Sequence, residues 1–150
     1  MYTDSGCAEW DAATPINNDV SYTEAYTSTT NRCDGRTYTA GVWYKFVGSG
    51  GNSMLTGSTG YALANWGSLY PRRCDTHATG YLLGDHSTLP MYATVQMKLC
   101  YNWGNDCGWY STISVKKCPQ GHVYRYDILN GICRLSHCTK DDFCNLGILT

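Results

Sequence analysis

Long apolar runs are absent from this chain: no stretch approaches the ~18 residues at which a helix spans a bilayer, so no membrane-crossing helix is expected. Charge of one sign is absent as well. The 11 basic and 12 acidic residues are scattered, with never more than two of one sign adjacent, and sum to a formal −1, which leaves no basic stripe for a phosphate backbone and excludes nucleic acid as a partner. The first ten residues, MYTDSGCAEW, hold neither a basic stretch nor an apolar one, so they contain no secretory signal peptide. No Asn-x-Ser/Thr sequon occurs, which argues against N-linked sugar and leaves the 27–30 stretch, TSTT, as a place for O-linked sugar. Missing too is any Cys-x-x-Cys pair, and with it the usual spacing of zinc fingers and thioredoxin-like sites.

Cysteine itself is abundant, with nine in 150 residues. Without metal-ligand spacing, that abundance reads as a disulfide framework made in an oxidising compartment, hence a secreted, extracellular protein. The leaderless N-terminus then belongs to a chain whose signal was removed, or to a segment cut from a longer secreted protein. Nine is odd, so at least one cysteine is free, bridged to another chain, or paired beyond residue 150. The length fits one domain with a real core, and neither an internal repeat nor a proline-rich or charged linker divides it.

Short runs rich in β-branched and aromatic residues, bounded by glycine and asparagine, follow one another at 41–47, 92–101, 109–118 and 122–129. In 92–101, Ala93, Val95, Met97 and Leu99 alternate with Thr94, Gln96 and Lys98; Ile113 and Val115 alternate likewise with Thr112, Ser114 and Lys116. That period of two predicts half-buried strands. In GVWYKFVGSGGNSML, residues 41–55, Val42, Tyr44 and Phe46 fall on one side and Trp43, Lys45 and Val47 on the other. This predicts a hairpin with Lys45 at the wet surface and the glycines in its turn. One short helix is expected near 61–70. The fold class is therefore mainly β: a small, disulfide-stapled antiparallel domain with long irregular loops and little helix. Residues 1–32 are polar and low in aliphatics, and their order is expected to come from Cys7 and Cys33 more than from packing.

Few residues invite chemistry. His86 sits between Asp85 and Ser87, but neighbours along an extended chain point apart, and no nucleophile elbow accompanies them, so a turn histidine is the simpler reading. His77, His86, His122 and His137 are dispersed along the chain, and disulfide sulfur supplies no ligand, which argues against zinc. Asp141 and Asp142 lack the loop of a calcium site. No cofactor is implied. Thirteen tyrosines and five tryptophans are expected mostly to fill a core poor in aliphatics. Tyr61, Trp66, Tyr70, Tyr101 and Trp103, placed in loops, are the candidates for stacking on a glycan or a partner.

The stretch GVWYKFVGSGGNSML, followed by RRCDTHATGYLLGDHSTLP, MKLCYNWGNDCGWYSTISVKKCPQGHVYRYDIL and CRLSHC, resembles the cysteine-rich, zona-pellucida-associated domain of the uromodulin and pancreatic zymogen-granule glycoprotein type. Besides the cysteines, the shared landmarks are Trp43 and Phe46 before the glycines, Leu82-x-Gly84-x-His86, Trp109, and Val123-Tyr124. The resemblance runs from about residue 20 to 138. It sets apart the polar segment 1–32, tied on by disulfides, and a tail, 139–150, that carries an extra cysteine. Ser58 and Asp106 stand where the ten-cysteine form has two further cysteines bonded to each other, so this chain resembles the eight-cysteine form.

That resemblance implies the pairs Cys7–Cys118, Cys33–Cys133, Cys74–Cys138 and Cys100–Cys107, the last pinning a hairpin turn. Cys144 lies outside the pattern, as a free thiol or the link of a disulfide-bonded homodimer. It also implies a non-catalytic secreted extracellular module with a structural or adhesive role in matrix, coat or mucus, contacting extracellular proteins or glycans. A carbohydrate-binding lectin using the loop aromatics is the alternative. A secreted toxin or enzyme on a disulfide scaffold is a third reading.

Overall fold

Three of the runs read as strands form an antiparallel meander at the centre of the molecule. The computed structural model describes residues 7–23, 33–58, 61–66, 73–76, 78–102, 107–131 and 135–140. In chain order the elements are α1 (Ala8–Ala12), β1 (Thr14–Asn17), α2 (Asp34–Thr37), β2 (Trp43–Val47), β3 (Ser53–Met54), β4 (Thr56–Gly57), α3 (Tyr61–Trp66), β5 (Ala78–Leu83), β6 (Thr94–Tyr101), β7 (Trp109–Cys118), β8 (Gly121–Ile128), β9 (Leu135–His137) and β10 (Thr139–Lys140). One-turn 3-10 helices lie at Val20–Tyr22 and His86–Thr88.

The β6–β7 ladder runs from Thr94 opposite Lys116 to Tyr101 opposite Trp109, and β7–β8 from Thr112 opposite Ile128 to Cys118 opposite Gly121, with a bulge at Thr112/Ile113. The main sheet has the order β1-β2-β8-β7-β6-β5-β4. Pairing is antiparallel through its middle, from β2 to β5, and parallel at its margins, where β1 joins β2 and both β4 and β9 join β5. β3 and β10 pair separately. The α-helices among the described residues run four to six residues, too short to stand without packing.

The core face is aromatic, as the shortage of aliphatics requires. Tyr44, Phe46, Tyr101, Tyr124 and Tyr126 are buried together with Leu82, Leu99, Ile113, Val115 and Leu135. The tyrosines bring hydroxyls into the interior, where polar partners meet them: Tyr101 with Ser111 at 2.9 Å, Tyr126 with Asp34 at 2.6 Å, Tyr44 with the Thr39 amide at 2.8 Å. β5 has no signature in the sequence. Its first five residues, ATGYL, are buried whichever way they point, and a strand covered on both faces shows no alternation.

The N-terminal segment is held by more than its cysteines. Residues 14–17 form a parallel strand along β2, with Thr14 opposite Tyr44 and Asn17 opposite Val47. Asn18 is fully buried, and its side-chain amide donates to the Gly51 carbonyl (3.2 Å) and to Thr139 Oγ1 (2.7 Å). Low aliphatic content conceals this order because it comes from ladder bonds and buried amides.

The 41–55 stretch also folds differently from a hairpin. β2 pairs with β1 and β8, while the chain beyond the glycines leaves for the small β3–β10 sheet. The glycines serve a close approach of backbones: a Cβ on Gly50 would overlap the Asp19 carbonyl, and one on Gly48, at φ +103°, would overlap Asn17 and Asn18. Lys45 is partly exposed, as expected of it, but its ammonium is engaged: it donates to the Trp10 carbonyl at 3.0 Å and lies 4.7 Å over the Trp10 ring. Gly50→Ala is expected to lower stability by about 1–3 kcal/mol through this overlap. A urea midpoint unchanged from the parent would refute it.

Candidate functional site

The residues that alternate with the core emerge on the outer face of the sheet. Register places Trp43 on β2 opposite Arg125 on β8, Arg125 opposite Ser114 on β7, and Ser114 opposite Gln96 on β6, a row across four strands. The Arg125 guanidinium lies 4.8 Å over the Trp43 ring. Asp127, two residues along β8, ties the row together: Oδ1 accepts from Arg125 Nε at 2.6 Å, and Oδ2 accepts from Gln96 Nε2 at 3.1 Å and from Ser114 Oγ. Burial alone would raise the Asp127 pKa, but the hydrogen bonds from Ser114, Arg125 and Gln96 outweigh it and hold the carboxyl below its ordinary range. Beside the row, Lys98 sits 4.5 Å over the ring of exposed Tyr110.

α1 closes one end of this face. Lys116 donates to Glu9 at 2.8 Å, Trp10 covers Lys45, and Cys7 is bonded to Cys118. At the other end Tyr61, Trp66, Tyr81 and the Cys100–Cys107 bridge form a second apolar cluster. Chemically the face offers fixed charges, amide and hydroxyl donors, and cation-capped aromatics. Ser114 does donate to the Asp127 carboxylate, but that carboxylate is also held by Arg125 and Gln96 and the serine is 3% exposed. No group of three metal-ligating side chains occurs among the described residues.

Beneath the sheet lies a polar centre that the sequence does not disclose. Asp34, fully buried at the start of α2, accepts from Ser136 Oγ (2.9 Å), Tyr126 hydroxyl (2.6 Å) and the His137 amide (3.1 Å). His137 Nδ1 lies 3.2 Å from Asp34 Oδ2 and 3.1 Å from the Tyr126 oxygen. Tyr126 directs its one O–H hydrogen at Asp34, so Nδ1 is assigned the ring hydrogen and donates. Burial, then the Asp34 charge, raises the Tyr126 pKa well above 10. Ser, His and Asp thus meet here, but Ser136 Oγ is directed at Asp34 and the His137 carbonyl rather than at the His137 ring, and all three side chains are sealed from solvent. The cluster ties α2 to β8 and β9. An isolated aspartate before a glycine gives no sign of it.

The histidines, dispersed in sequence, are partly gathered in space. His86, in the turn expected of it, is buried and stacked on His122 with ring centres 4.1 Å apart. Asp85 caps that turn by accepting from the Ser87 amide and hydroxyl, which holds its carboxyl below its ordinary range. His77 lies outside the described residues, as do Asp141 and Asp142.

Of the five stacking candidates, the structure withdraws two. Tyr101 is fully buried in β6 with its hydroxyl on Ser111, and Trp66 is buried with its ring edge-on to Tyr61 at 5.3 Å. Tyr101 resembles a loop residue in the sequence because the ladder runs one residue past Cys100. Tyr61 is half-buried in α3 against Trp66 and Tyr81. Tyr70 and Trp103 lie outside the described residues. Among the described residues the strongly exposed aromatics are instead Tyr92 and Tyr110. Disulfides join Cys7 to Cys118, Cys74 to Cys138 and Cys100 to Cys107. Cys33 is also disulfide-bonded, while Cys133 and Cys144 lie outside the described residues.

Comparison with known proteins places this arrangement. The model of the uromodulin-like cysteine-rich domain matches residues 44–139. The pancreatic secretory granule membrane major glycoprotein GP2 of the dog is 39% identical over 101 residues, 65% of this chain and 17% of that protein. Its mouse counterpart is 33% identical over 133 residues, 84% of this chain and 22% of that protein. Mouse uromodulin is 31% identical over 99 residues, 65% of this chain and 14% of that protein. The chain spans less than a quarter of the length of each of these relatives. With the match covering most of its central sheet, from β2 to the start of β10, the chain belongs to the uromodulin-like domain family.

Proposed function

We propose that this chain is a non-catalytic extracellular module of a secreted protein, with a structural or adhesive role. The observation that carries the reading is the placing of the bridges: Cys7–Cys118 and Cys74–Cys138 span 111 and 64 residues and clamp the chain's distant parts onto one sheet. Such a framework needs an oxidising compartment. Relatives named as a secretory granule membrane glycoprotein support the same route. The module takes in 20–138, with 1–32 fastened to it and 139–150 as a tail whose Cys144 links the module to a second copy or stays free. Its role is to present a rigid outer face, Trp43, Arg125 and Gln96 with Lys98 and Tyr110, tied together over the buried Ser114, to extracellular proteins.

Binding of the oxidised module to immobilised matrix and mucin preparations tests this. Saturable binding that falls at least tenfold in Arg125→Ala/Lys98→Ala, without loss of thermal stability, is the expected result. Unchanged binding in that variant would remove the outer face from the proposal.

The lectin reading keeps one supporting observation, the exposure of Tyr92 and Tyr110, since tyrosine suits stacking on sugar rings. It requires sugar-inhibitable binding on a glycan array that is lost in Tyr110→Ala. Non-reducing electrophoresis with Cys144→Ser as control tests the homodimer: a band at twice the monomer mass that disappears in the variant is expected, and a monomer with a titratable thiol sinks it.

A further inference from the structure

The strap of chain from Asp85 to Tyr92 joins β5 to β6 across the end of the β7–β8 hairpin. Three hydrogen bonds fasten it there: Tyr92 amide to the Lys117 carbonyl (2.8 Å), Lys117 Nζ to the Ser87 carbonyl (2.9 Å), and His122 Nε2 to the His86 carbonyl (3.0 Å). A carbonyl only accepts, so His122 carries its hydrogen on Nε2. The fourth fastening is the His86 ring, 2% exposed, lying face to face on His122 at 18° between planes. Its Nε2 is 2.7 Å from the Tyr124 hydroxyl, which also receives the Met54 amide at 2.9 Å. The strap, β8 and β3 therefore meet at the His86–Tyr124 pair.

We propose that the His86–His122 stack is an acid-sensitive latch: neutral, it holds the 85–92 strap on the hairpin, and protonation of His86 releases the strap while the central sheet stays folded. The geometry makes the charged form unwelcome. His86 Nδ1 is buried with no hydrogen-bond partner, so an imidazolium would leave one charged N–H unsatisfied in the interior. The groups facing the ring offer little compensation. They are His122 and Tyr124 on β8, Lys117 on β7, Lys140 on β10, and Asp85 in the turn itself, so two cations oppose one carboxylate, whose Oδ1 is already held by Ser87.

Burial, reinforced by His122, lowers the His86 pKa to about 3. In the released strap the ring returns to roughly 6.5. A depressed histidine pKa leaves the latch fully closed above about pH 6.5, and the released state gains about tenfold per pH unit below it, until the folded site protonates near 3. By pH 4.5 the strap should open about a hundredfold more often than at pH 7.

Hydrogen exchange on the full oxidised chain between pH 7 and 4.5, corrected for intrinsic rates, tests this. The Tyr92 amide should lose protection about tenfold per pH unit below roughly 6.5, while the β6–β7 ladder amides keep theirs. His86→Phe retains a ring on His122 but removes the titrating group at position 86, and its Tyr92 amide should lose the tenfold-per-unit pH dependence. Ring NMR of the unmodified chain gives a readout that does not depend on that variant folding: closed-state His86 should remain neutral at pH 5. A His86 that titrates near 6.5 with the strap still protected, or β6–β7 amides lost in step with Tyr92, would overturn the latch.

Discussion

Asp34→Ala is expected to lower the stability of the oxidised domain by about 3–5 kcal/mol, the range for removing one partner of a buried charged cluster. Four contacts end on this carboxyl: Tyr126 and Ser136 hydroxyls, the His137 amide and His137 Nδ1. Alanine leaves those donors buried and facing an empty volume, where each unmade bond costs about 1–3 kcal/mol before the structure relaxes. Asparagine at this position would keep the volume, but its amide hydrogens would face groups that themselves donate, so Asp34→Asn should recover only part of the loss. Urea unfolding at pH 7 measures both. A change below about 1 kcal/mol in Asp34→Ala would mean that water replaces the carboxyl and that the cluster is not what joins α2 to β8 and β9.

Reduction should abolish the fold. In the chain-entropy account, loops of the lengths closed by Cys7–Cys118 and Cys74–Cys138 contribute about 4–5 kcal/mol each, and the short Cys100–Cys107 loop about 2.5 kcal/mol. Domains as a class have only about 5–15 kcal/mol of net stability, so the three bridges together amount to most or all of it. Near-UV circular dichroism of the fully reduced chain should be flat at 25 °C. Removing pairs singly should rank them: Cys74→Ser/Cys138→Ser strongly destabilising, Cys100→Ser/Cys107→Ser mildly so. Retention of native near-UV signal after reduction would show that the aromatic core suffices without bridges.

Strands β6 and β7 of the meander are legible in the sequence because each has one wetter and one drier face along much of its length, so Val95, Met97 and Leu99, or Ile113 and Val115, recur at every second position. β8, buried on both faces over its first half, is legible from its β-branched and aromatic content. The turn at His86 is legible too, from its neighbours Asp85 and Ser87. β5 is not, since both of its faces are buried. Nor is β1, whose polar residues are ordered by pairing alongside β2. Tyr101 and Trp66 mislead for a related reason: an aromatic next to a glycine or asparagine has the same local pattern whether its ring points into solvent or into the core.

What the sequence determined by itself was the class of domain: β period, cysteine order and landmark residues are local properties, and they identify the family without coordinates. Tertiary structure alone decided which groups meet. Asp34 reaches Ser136 and His137 across more than 100 residues, His86 reaches His122 across 36, and Trp43 reaches Arg125 through strand register. Such meetings depend on how strands pair and which face each side chain takes, and a one-residue slip in register would undo them all.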